Sequence, residues 1–104
     1  MKTVKVTKKN AEGLVNELEN QLRERLSPFM RYEVSKDEMR EYVQFNVFST
    51  DVIPFITSTV INTVIEVLEN SKIDKNCMFY GIESCIVPNA EREVPCMSIT
   101  INIG

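Results

Sequence analysis

The side chains of Met97-Ser98-Ile99-Thr100-Ile101-Asn102-Ile103 alternate strictly between apolar and small polar types, which is the clearest secondary-structure pattern in the chain. A period of two is typical of a β-strand that buries one face against a core. The other face, which Cys96 extends, carries no charge. Such a strand lies either in the centre of a sheet or under another subunit.

A second alternating segment precedes this strand and predicts its partner. Its apolar side chains recur at even positions and form one face, comprising Met78, Tyr80, Ile82 and Ile86. An eight-residue loop from Pro88 to Pro95 is expected to join the two strands. Its prolines and the charged residues 91–93 favour a solvated connection that ends the pairing.

An earlier part of the chain predicts a β-hairpin. Residues 30–35 alternate between apolar and polar types, and residues 43–47 do so again. The polar run Lys36-Asp37-Glu38 is expected to form the turn between the two strands.

Two segments are expected to be helical. After Asn10, a favourable N-cap, apolar residues recur at steps of three and four as far as Leu26, and Pro28 then ends the helix. Residues 51–70 are rich in strand-forming Ile, Val and Thr, but twenty residues without a turn signal exceed a typical strand. The run Ser49-Thr50-Asp51 before Pro54 is typical of a helix start with proline in the first turn. We therefore predict a second, mostly buried helix.

Together with a short first strand at Thr3 to Thr7, these segments give the order β-α-β-β-α-β-β. The pattern predicts an α+β fold, a two-layer sandwich with both helices packed on one face of a largely antiparallel sheet. The first six elements have the ferredoxin-like order, which serves many unrelated functions. The length, 104 residues, is typical of one domain, so residues 1–104 are expected to form a single α+β domain.

The composition argues against several kinds of chemistry. There is no histidine, which removes the usual general base and the commonest zinc ligand. Three glycines are too few for a phosphate-binding loop or a dinucleotide fingerprint. Cys77, Cys85 and Cys96 lack metal-site spacing and are expected to be reduced thiols. We expect a protein that is not an enzyme and that has no catalytic residues, no cofactor and no metal.

The hydropathy pattern predicts an intracellular location. The longest apolar run, residues 52–56, is interrupted by proline and is far shorter than the roughly 20 residues of a membrane span. The first six residues lack the apolar stretch of a secretory signal. A cytoplasmic protein without membrane contacts is therefore expected, or a virion protein if a phage encodes it.

The second face of the sheet is the main candidate for function, because it combines aromatic and uncharged polar side chains. Interfaces lose charge and retain aromatic residues, although a solvated sheet face rich in Ser and Thr explains the pattern equally well. The candidate interface consists of Tyr42, Gln44, Asn46, Phe48, Phe79, Cys96, Ser98, Thr100 and Asn102, with Glu83 and Cys85 beside them.

This pattern favours a non-catalytic protein-protein interaction or assembly module. The partner is expected to be a second copy or a larger assembly such as a phage particle, whose accessory proteins often have this size and composition. It would bind the second face of the sheet or an exposed edge strand.

Two alternatives have weaker support. A small nucleic-acid-binding domain would stack bases on Tyr42, Phe48 and Phe79, but the glycine- and aromatic-rich signature of RNA-recognition domains is absent. Its basic contact would be Lys2, Lys5, Lys8 and Lys9, although lysines that protect an edge strand are the simpler interpretation. A small enzyme or ligand-binding regulatory domain would need a pocket that shifts the pKa of a carboxyl or thiol group.

Overall fold

The computed structural model describes residues 2–86 and 93–104. The elements of this part of the chain follow one another as helix, strand, strand, helix, strand, strand. They are α1 (Ala11–Leu26), β1 (Tyr32–Glu38), β2 (Tyr42–Ser49), α2 (Ser58–Glu69), β3 (Met78–Ile86) and β4 (Glu93–Asn102), with a 3₁₀ turn at Lys75–Cys77 before β3.

The four strands form one sheet in the order β1-β2-β4-β3, and each neighbouring pair is antiparallel. The strands β2 and β4 are therefore central, whereas β1 and β3 form the two edges. This arrangement confirms the predicted α+β two-layer sandwich with a largely antiparallel sheet.

The core lies between the two helices and one face of the sheet. Alternate residues of the central strands are buried there, because the side chains of a strand point to opposite faces in turn. The helices contribute the apolar stripes that recur at steps of three and four, and each buried Val, Leu or Ile stabilises the fold by about 1.5–3 kcal/mol. The principal core residues are Val15, Leu18, Leu22, Phe45, Val47, Val60, Val64, Met97, Ile99 and Ile101.

The strand expected at Thr3 to Thr7 does not form. Within the described residues this segment makes a single parallel bridge, in which Val4 donates to the Lys72 carbonyl at 2.6 Å and accepts from the Asp74 amide at 2.8 Å. The Asn10 side chain then accepts a hydrogen bond from the Thr7 amide at 2.7 Å and turns the chain into α1. The first regular element of the described chain is therefore α1 and not a strand, so the predicted ferredoxin-like order was wrong.

The second helix begins at Ser58, seven residues later than the predicted start at Asp51. The Thr57 side chain accepts from the Val60 amide at 3.4 Å and caps the helix. The residue before a proline avoids helical backbone angles, which disfavours a helix through Ile53. Residues 51–56 instead cross the end of the sheet, where the Phe55 carbonyl accepts from the Tyr32 hydroxyl at 2.7 Å.

Two connections also differ from the prediction. The residues Lys36-Asp37-Glu38 belong to β1, and the turn lies at residues 39–41, where the Met39 amide donates to the Tyr42 carbonyl at 2.9 Å.

The predicted loop from Pro88 to Pro95 ends earlier, because β4 already begins at Glu93 and Pro95 pairs with Ser84. The pairing of β2 with β4 stops at Cys96, so the missing amide hydrogen of Pro95 costs no bond on that side. The remainder of that loop, residues 88–92, lies outside the described residues.

Candidate functional site

The nine candidate interface residues lie together on the face of the sheet that carries no helix, which we call the open face. The register across β2 and β4 places Tyr42 opposite Asn102 and Phe48 opposite Cys96. Thr100 lies between its two cross-strand neighbours, Gln44 and Phe79. Membership of this face was predictable, because alternation along a strand is a local property.

A hydrogen-bonded network occupies the centre of the open face. The Gln44 amide nitrogen donates to the Ser98 hydroxyl at 2.7 Å and to the Asn46 carbonyl oxygen at 3.2 Å, and the Ser98 hydroxyl donates to the same Asn46 oxygen at 2.7 Å. Asn46 and Ser98 are buried. The hydrogen bonds from Gln44 and Ser98 converge on the Asn46 carbonyl oxygen, so that oxygen is already paired and the three side chains hold one another in place.

One end of the open face is a small apolar cluster. Phe48, Val94 and Cys96 are buried there, and Ile56 and Cys85 pack against them. The burial of Phe48 removes one of the three aromatic platforms that the nucleic-acid hypothesis requires.

The expectation of reduced thiols was wrong for two of the three cysteines, because Cys85 and Cys96 are joined by a disulfide. Cys96 lies opposite Glu83 and Cys85 opposite Val94, so the two cysteines are diagonal neighbours on the open face with Cα atoms 6.4 Å apart. That separation is within the usual range for a disulfide. The pairing depends on strand register, which the spacing along the chain does not reveal. Cys77 is a free, buried thiol.

The charged residues of the open face lie on the two edge strands and are acidic. β1 contributes Glu33 and Asp37, and β3 contributes Glu83. Among the strand residues that the structure describes, none on this face is Lys or Arg. An acidic rim repels phosphate groups, which argues against nucleic acid on this surface.

The lysines of the candidate basic contact are exposed and lie before α1. Their predicted role in protecting an edge strand has no basis in the structure, because the segment forms one bridge and β1 and β3 are the edges of the sheet. The four residues are Lys2, Lys5, Lys8 and Lys9.

The β3 edge carries an exposed apolar surface, of which the sequence analysis had identified only Phe79 as a candidate interface residue. We call its four residues the β3 patch. They lie on both faces of the strand, and their exposed fractions are Phe79 56%, Tyr80 54%, Ile82 56% and Ile86 75%. The sequence assigned three of them to the core face. The structure places these three residues on the edge strand, where the helices do not cover them and their side chains are exposed to solvent.

The two edges of the sheet differ in charge. Four of the seven residues of β1 are charged, and one of them, Lys36, forms ion pairs with Glu19 at 2.8 Å and Glu38 at 3.2 Å. β3 has one charged residue, Glu83, among nine, and no proline. Charges and prolines are the usual means of preventing an edge strand from pairing with another chain. β1 therefore has that protection, and β3 lacks it.

A cleft of about 150 Å³ runs beside the β3 patch, between α2 and β3. Ile65 and Leu68 of α2 form one side, and Met78 and Tyr80 of β3 form the other. Glu69 and Lys75 also line the cleft. It offers an apolar recess next to an edge strand.

A larger cleft of about 510 Å³ lies between α1 and the β1-β2 hairpin, and Lys36 is among the residues that line it. The pKa of the nearby Glu19 carboxyl is lowered, chiefly by its hydrogen bond with Lys36. The same hydrogen bond, with a second one to Glu38, raises the pKa of Lys36. Both groups are thus held in their charged forms, whereas an acid-base catalyst needs a pKa near the working pH.

Comparison with protein-family models, curated proteins and solved structures finds no match to this chain. Within the described residues, neither helix is long and apolar enough to cross a membrane.

Proposed function

We propose that the protein is a non-catalytic interaction and assembly module that binds a strand of another polypeptide along β3. The observation that carries this proposal is the contrast between the two sheet edges. β1 bears four charged residues in seven, whereas β3 bears one in nine together with the four apolar residues of the β3 patch.

Strand addition would pair the backbone hydrogen-bonding groups that β3 exposes and would cover its apolar side chains. The outward backbone amides and carbonyls of an edge strand form hydrogen bonds with an incoming strand. The side chains of that strand then cover Phe79 on the open face and Ile82 on the helix side. Covering each half-exposed apolar side chain contributes about 1 kcal/mol.

The open face takes a secondary part in this proposal. The network of Gln44, Asn46 and Ser98 occupies its centre, and Phe48 and Cys96 fill one end. Phe79 is an exposed aromatic residue of β3 whose side chain lies on the open face, opposite Thr100. Contacts of a bound strand are therefore expected near Phe79 and Thr100 rather than across the whole face.

Affinity capture from the source cell tests the proposal when natural and substituted chains serve as bait. Ile82→Lys puts a charge into the β3 patch, and we expect it to remove the partners that the natural chain retains. Ile53→Lys is the matched control, because Ile53 is an isoleucine of similar exposure, 64%, outside the sheet. It should leave the same partners bound.

Equal retention of every partner by the natural chain and by Ile82→Lys would contradict strand addition at β3. Loss of partners from both variants would point to a general effect of added lysine and would also contradict the proposal. Thermal unfolding of each bait establishes that the variants are folded.

A further inference from the structure

We propose that the strand bound by β3 is β3 of a second copy of this chain, paired antiparallel about a two-fold axis at Ile82. This inference rests on the proposed function and adds the identity and register of the partner. The result is a continuous eight-stranded sheet with all four helices on one side.

The register follows from the pattern of the strand itself. With the axis at Ile82, Met78 faces Ile86 of the second copy, so all nine residues of β3 are paired. Residues of equal parity face each other, which keeps core-side and open-side residues on their own faces. An axis at Glu83 would oppose two carboxylates, and an axis at Gly81 would leave Ile86 without a partner.

The charge of Glu83 fits this register. Glu83 of one copy lies opposite Gly81 of the other, which has no side chain to meet it. A Cβ atom built on Gly81 has no atom within 4 Å apart from its chain neighbours, so position 81 leaves room beside the Glu83 side chain of the second copy. The single charge on β3 therefore does not oppose self-pairing.

The cleft beside β3 fits the apolar end of the second strand. In this register Ile86 of the second copy lies next to Met78, which lines the cleft between α2 and β3. Opposite residues of an antiparallel pair have Cβ atoms about 4.5–5.5 Å apart, so the isoleucine reaches the recess formed with Ile65 and Leu68. The most exposed residue of the β3 patch thereby becomes buried.

One strand and four apolar side chains make a small interface. A stable interface buries about 800 Å² on each partner, and a single added strand covers less than that. We therefore expect a concentration-dependent dimer with a Kd of roughly micromolar order.

Sedimentation equilibrium of the full chain at several concentrations tests the proposal. We expect the mass to rise from one chain to two, and Ile82→Lys to abolish the rise while Ile53→Lys does not. The register has its own test at position 81. Gly81→Lys faces Glu83 of the second copy and should tighten the dimer by roughly threefold to tenfold, whereas Gly81→Glu should weaken it by a similar factor.

A monomer at every concentration would overturn the inference, as would a dimer that persists in Ile82→Lys. Equal dimer constants for Gly81→Lys and Gly81→Glu would overturn the register. A monomeric chain whose captured partners are lost in Ile82→Lys would leave the proposed function standing and the self-pairing wrong. Partners that survive Ile82→Lys would instead contradict the proposed function itself. Urea unfolding of each variant establishes that the fold is intact.

Discussion

At the scale of single residues, Glu19 joins the helix layer to the sheet. Its carboxylate accepts hydrogen bonds from Lys36 on β1 at 2.8 Å and from Arg23, one turn later on α1, at 3.0 Å. Arg23 also donates to the Val34 carbonyl at 3.0 Å. The contact with Lys36 depends on the placement of β1 beside α1, which the sequence pattern does not give.

We expect Glu19→Gln to lower the free energy of unfolding by about 1 kcal/mol at neutral pH, because two charged hydrogen bonds are weakened. The Glu19 pKa is lower in the folded chain than in the unfolded one. The stabilisation that the Glu19 carboxylate gives the folded chain is therefore complete above the unfolded pKa of about 4.3 and is lost as the pH falls through the folded pKa. Urea unfolding of both proteins along a pH series measures this difference.

Glu24→Gln is the control, because Glu24 is an exposed glutamate on the same helix. It should change stability little. A loss in Glu19→Gln that stays constant down to the lowest pH would show that its carboxylate charge is not the cause.

At the scale of elements, the start of α2 depends on Thr57. Its hydroxyl accepts from the Val60 amide, and α2 then supplies Val60, Val64, Val67 and Leu68 to the core. The sequence predicted the helix but placed its start at Asp51, seven residues too early, because the Ser49-Thr50-Asp51 run and Thr57 are both residue types that cap helices. Pro54 and the hydrogen bond from Tyr32 to Phe55 decide between them.

We expect Thr57→Ala to destabilise the protein by about 1 kcal/mol, because an amide of the first turn loses its acceptor. Thr59→Ala is a matched control, since Thr59 is an exposed threonine inside the same turn and alanine favours the helix slightly. Thermal unfolding of the two variants compares them. An equal loss of stability in both would contradict the assignment of Thr57 as the cap.

At the scale of the whole molecule, the sequence predicted features that depend on neighbouring residues. The alternation in Met97–Ile103 defines a strand and its two faces without further information. The steps of three and four between Asn10 and Leu26 likewise define α1 and its buried stripe.

Strand order and register could not be predicted, because they depend on contacts between distant residues. Tyr80, Ile82 and Ile86 show the same alternation as the core residues of β4, yet β3 lies at the margin of the sheet and they are exposed. The diagonal position of Cys85 and Cys96 has the same origin. The proposed binding strand, β3, therefore has the alternation of a buried strand but lies at an exposed edge of the sheet.

Amide hydrogen exchange at low and high protein concentration tests strand addition by a second copy at β3 most directly. Unpaired amides of an edge strand exchange quickly, and pairing with another chain protects them. We expect the outward amides of β3 to exchange more slowly as concentration rises, while those of β1 do not change. Concentration-dependent protection in β1, or exchange in β3 that is the same at every concentration, would contradict the account.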